Sequence, residues 1–161
     1  MTKHVSTHFL RAILFLITLG TLAFCVFALP AIWKSGARVF PTVRYSVYLI
    51  SIDLYLTVIP FFVALWQAGK LLRYIDQNNA FSQASVKALR TIKQCAIAIT
   101  VLYVGAVPLL FPIADSDDAP GLLIIGAVIA CAPLVMAVFA AVLEQLLQSA
   151  IAITSENELT V

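Results

Sequence analysis

Charge is what this sequence has least of. Only 11% of its 161 residues are Asp, Glu, Lys or Arg, where a soluble domain carries about a quarter. So few polar side chains could not cover a water-soluble fold of this size. Histidine numbers 2 and glycine 6. There is no glycine-rich phosphate loop, no nucleophile elbow and no pair of carboxylates inside an apolar run. These absences argue against an enzyme, and no catalytic or cofactor-binding residue is expected. Cysteine numbers 3, and Cys25, Cys95 and Cys131 stand far apart in or beside apolar runs. No C-x-x-C and no Cys/His cluster exists, so neither a zinc site nor a disulfide framework is indicated. Each thiol reads as a small buried hydrophobe. Ten basic against eight acidic residues leave a net charge of +2, which is no signature of direct nucleic-acid binding.

Apolar side chain is what the chain has in excess. Hydrophobic residues make up 62% and the mean hydropathy is +1.01. That excludes disorder and leaves one class, an integral membrane protein. Four uncharged or nearly uncharged runs predict four spans, at about 12–33, 48–69, 94–114 and 119–143. At 1.5 Å per residue each reaches across a hydrocarbon core of about 30 Å. The runs are continuous rather than alternating, so they are helices and not barrel strands.

Lys3 and Arg11 precede the first run, which raises the question of a signal peptide. The run is long for one. No clean small-x-small site follows, and the bulky Phe24 spoils a lipoprotein-like Leu22-Ala23-Phe24-Cys25. An uncleaved span ending at Pro30 and Trp33 is expected, then a short polar connection over Lys34–Arg44. Pro60 should kink the second span. Asp76-Gln77-Asn78-Asn79 is a turn signal, and Ser82 is placed to cap the next helix. Residues 70–93 form the one sizeable polar stretch. Beyond the fourth run, Glu144, Gln145 and Gln148 mark the return to water. Seven Lys and Arg lie on the side of the termini and of residues 70–93, against three on the other. The positive-inside rule then predicts both termini in the cytoplasm. The expected fold is an all-α, four-helix transmembrane bundle forming one domain, N-in and C-in.

Segments 54–57 (Leu-Tyr-Leu-Thr) and 59–62 (Ile-Pro-Phe-Phe), Lys70-Leu71-Leu72, Tyr74-Ile75-Asp76, Ala80-Phe81-Ser82 and Val86-Lys87-Ala88-Leu89 resemble one family. So do Ala114-Asp115, 117–121 (Asp-Asp-Ala-Pro-Gly) and Ser155-Glu156-Asn157. It is a family of small four-span bacterial membrane proteins catalogued as a domain of unknown function. The resemblance covers nearly the whole chain and implies a bacterial cytoplasmic membrane. It brings no catalytic or binding residues. Members are often encoded beside small helix-turn-helix regulators, which implies a link to regulation.

A few polar features remain as candidates. Asp53 is ionisable and sits inside a span, which makes it a functional hypothesis by default. Its depth, about 25 Å along the helix from Lys70, places it near the outer boundary, within reach of Arg38, Arg44 or water. Asp115, Asp117 and Asp118 could offer oxygens to a divalent cation. The further ligands and fixed glycine of an EF-hand are missing, and a solvated turn explains them as well. Lys87, Arg90 and Lys93 recur every three residues on one helix, as a contact for lipid headgroups or for an acidic cytoplasmic partner. His4 and His8, with no Cys or carboxylate beside them, fall short of a metal site. Gly126 with Ala130 and Ala137 with Ala141 let helices approach closely; a homodimer would use the same surface. Two functions fit: a non-enzymatic regulatory or interaction protein working through residues 70–93, and a small permease or channel subunit using Asp53. The near absence of charge in the spans favours the first.

Overall fold

A computed structural model describes residues 8–157 in full and carries the helical backbone out to Thr2 and Leu159. The described residues are helical throughout, joined by short turns. α1 (Thr2–Ala23) passes through a π-helical turn, Phe24–Ala28, into α2 (Leu29–Val39). α3 (Arg44–Asp76) and α4 (Gln83–Ala106) follow. A 3-10 turn, Val107–Leu110, leads into the short α5 (Phe111–Ser116), and α6 (Gly121–Leu159) closes the chain. Four helical stretches, His8–Val39, Arg44–Asp76, Gln83–Ser116 and Gly121–Asn157, are each long and apolar enough to cross a membrane. No more than 17% of the most apolar window of any of them is buried within the protein. The rest of that surface is apolar and faces outward, so lipid is its solvent.

The helices outrun their apolar runs, and proline explains where. Pro30 does not end the first helical stretch. It lacks an N–H and cannot satisfy Val26, but the turn before it widens, and the Leu29 N–H reaches back five residues to the Phe24 carbonyl. The wide turn makes room for the ring, and the stretch Lys34–Val39, expected as loop, is helix. Pro108 and Pro112 act in the other direction. Neither can donate to the carbonyl four residues back, so the ladder tightens and the Phe111 N–H takes Pro108 O. Pro60 and Pro133 are carried inside α3 and α6.

Packing follows chain order. α4 is central, with α3 on one flank and α6 on the other, and these two interfaces carry most of the tertiary contact. Small residues make the second one close: Ala96 on α4 and Ala130, Ala137 and Ala140 on α6 are all buried. A Cβ on Gly126 would collide with Leu110 Cδ1. α1 and α2 pack chiefly on α3. There the Trp33 and Tyr48 rings meet at 5.4 Å between centroids, and a Cβ on Gly36 would stand 2.9 Å from Val47 Cγ1. Hydroxyls within the spans bond back to their own helices, as Ser51 Oγ does to Val47 O at 2.8 Å. No buried side-chain polar atom among the described residues lacks a partner. Of the thiols, Cys95 is buried, Cys25 is half-buried and Cys131 is exposed. Cys131 therefore points to lipid instead of filling the interior.

Candidate functional site

The stretch 70–93 is less a loop than a projecting helical hairpin. Only residues 77–82 are non-helical. α3 ends where Asn78 takes a left-handed conformation, φ 53°, which asparagine tolerates better than most residues. The Asn79 N–H then closes on Tyr74 O at 2.9 Å, tying off a helix-end carbonyl. Ser82 caps α4 as its sequence suggested, its Oγ accepting from the Ser85 N–H at 3.3 Å. The hairpin therefore has a rigid base and a short tip.

Its charges are largely engaged within the protein. Glu144 on α6 is 5% exposed and accepts from two cations of α4, Arg90 Nε at 2.9 Å and Lys93 Nζ at 2.6 Å. It reads in the sequence as the return to water, and instead it is the most buried charged side chain described. Of the basic stripe, only Lys87 stands exposed and outside any described ion pair. A second pair, Arg11 Nη2 to Asp76 Oδ2 at 2.7 Å, joins the start of α1 to the end of α3. All of these groups lie at one end of the bundle, the basic end.

Register was the available signal for Glu144. Lys93 immediately precedes the third apolar run and Glu144 immediately follows the fourth. Antiparallel neighbours must bring those two boundaries to one depth. The short connection between the third and fourth runs makes α4 and α6 expected neighbours; what the sequence hid was how closely they approach, with Ala96, Ala137 and Ala140 buried where they meet.

The other candidates do not converge. Asp53 is half-buried in α3 and forms no ion pair with Arg38 or Arg44. Asp115, Asp117 and Asp118 are exposed, and no three potential ligands gather into a metal-sized group among the described residues. Asp118 has a backbone task. It takes φ 49° at the end of α5, and the next N–H, of Ala119, bonds Ala114 O at 2.9 Å. His8 is exposed, and the side chain of His4 lies outside the described residues.

At the hairpin tip an apolar groove of about 280 Å³ runs between α3, α4 and α6, bordered by Ile75, Phe81, Leu89 and Leu146. Phe81 is 70% exposed although it lies beyond both apolar runs.

These features define a multi-pass α-helical membrane protein whose interhelical ion pairs gather at one end. The chain belongs to the family described as "Protein of unknown function (DUF2975)", which matches residues 36–161. It is also similar to the "Uncharacterized membrane protein YoaS" of Bacillus subtilis (strain 168), 51% identical over 159 residues covering 99% of each chain. The family match starts within α2, whereas the likeness to the Bacillus protein takes in the first apolar helix as well. No solved structure matches.

Proposed function

We propose that this protein is a non-enzymatic regulatory or interaction component of the bacterial cytoplasmic membrane, with both termini and the α3–α4 hairpin in the cytoplasm, and that the hairpin engages a cytoplasmic protein. The supporting observation is the tip of the hairpin. An aromatic side chain exposed outside the apolar runs, over a groove, is the kind of surface that partners cover. Lys87, exposed and outside the ion pairs, gives that surface a positive rim and favours an acidic partner. The ionised groups that do meet, at Glu144 and Asp76, tie helices together, which is the work of a scaffold.

A photocrosslinking residue at Phe81 in native membranes tests the reading. The expected product is one cytoplasmic protein, lost when Lys87 is replaced by Glu. Adducts to lipid or to the chain alone would overturn it. Ion flux in liposomes that Asp53→Asn abolishes would put a permease or channel subunit in its place. A reporter fused after Val161 should be active in the cytoplasm, and periplasmic activity would reverse the orientation.

A further inference from the structure

Between α1 and α3 at the basic end lies a cleft of about 400 Å³. Its walls are apolar, with Leu14 and Phe15 on one side and Leu65 and Trp66 on the other. Its mouth is lined by three cations, Arg11, Lys70 and Arg73. Apart from Gly69's own turn of helix, no atom stands within 4 Å of the place a Cβ there would take, so that side of α3 is open. Arg11 directly precedes the first apolar run and Lys70 directly follows the second. The mouth therefore sits where hydrocarbon gives way to headgroups.

The charge there is unbalanced. Asp76 is the carboxylate at the mouth, and it takes Arg11. Lys70 and Arg73 are exposed and pair with no carboxylate among the described residues. Lys70 lies instead with Nζ 5.9 Å from the Trp66 ring centroid. Two cations without a carboxylate partner above an open apolar slot match a ligand that is anionic at one end and hydrocarbon at the other. The geometry points to a binding site for an anionic phospholipid. Its phosphate is held by Lys70, Arg73 and the remaining N–H groups of Arg11, and an acyl chain lies along Leu14, Phe15 and Leu65. Leu65 also borders an apolar groove of about 410 Å³ between α3, α4 and α6, which extends the surface open to the acyl chains. A soluble anion would leave the walls unfilled. A second copy docked two-fold on this cleft would set cations against cations. The site has a mechanical consequence, because α1 packs chiefly on α3 and a lipid touching both clamps the least supported helix.

The test uses the full chain purified in neutral detergent, with thermal unfolding followed as phosphatidylglycerol or phosphatidylcholine of the same acyl chains is added. Phosphatidylglycerol is expected to raise the midpoint by about 5–10 °C at saturation, and native mass spectrometry should count one retained lipid. The double variant K70Q/R73Q should lose both effects, while K87Q should keep them. Gly69→Leu leaves every cation in place and fills the cleft, so it too should lose the lipid while its helical circular dichroism is unchanged. Equal shifts with phosphatidylcholine, the same shift from inorganic phosphate alone, or retained lipid in either folded variant would overturn the site.

Discussion

The two ends of the bundle both carry charge and use it differently. At the basic end, Glu144 is enclosed by Arg90 and Lys93, and Asp76 holds Arg11. The opposite end carries Lys34, Arg38 and Arg44 as well as the turn bearing Asp115, Asp117 and Asp118, and no ion pair forms there among the described residues. The difference lies in backbone spacing. Where α4 and α6 approach through alanines, a carboxylate is forced out of water and must be answered. Where the chain turns in the open, carboxylates keep their hydration and need no partner. Asp53 and Glu144 make the same point as a pair. The acid within a span looks the more important in the sequence, and the acid at the span's edge is the one the fold has built around.

That contrast is open to attack, beginning where the largest effect is expected. Replacing Arg90 and Lys93 together by Gln leaves Glu144 buried without a cation. We expect a loss of about 3 kcal/mol, read from unfolding in mixed micelles, with each single variant costing about 1 kcal/mol. A near-neutral double variant would dissolve the distinction between the ends. Next, Ala137→Leu should cost about 2 kcal/mol by overpacking the α4–α6 contact, and it should weaken the ion pairs by pushing the helices apart. A double-mutant cycle with Glu144→Gln measures that coupling, and strict additivity would refute it. Asp53→Asn should change stability by less than about 0.5 kcal/mol, as for a half-buried group without a partner. A larger loss would reveal a contact made only in the membrane. Smallest of all, changing Asp115, Asp117 and Asp118 to Asn together should leave the unfolding midpoint within experimental error. Millimolar calcium should shift neither form, and a calcium-dependent gain in the parent alone would make the turn a metal site.

Much of the architecture is legible in the residues. Four apolar runs become four long helices, Ser82 caps α4, and 76–79 closes α3. The mismatches have specific causes. Pro30 reads as a terminator because a proline leaves a carbonyl unpaired, yet one π-helical turn absorbs it and the helix continues to Val39. Pro108 and Pro112 produce a tighter turn that single-residue rules do not anticipate. Glu144 was missed because its partners lie 51 and 54 residues away, and pairing at that separation depends on how closely the two helices approach.

Composition and run length were enough to settle the solvent, the number of crossings and the places where the chain turns. Those follow from local transfer energies and backbone chemistry, which each short segment carries within itself. Which charges are paired, which are left exposed and where a cleft stays open emerged only in the folded protein. These depend on how closely distant backbones approach, and small residues on two different helices set that distance together.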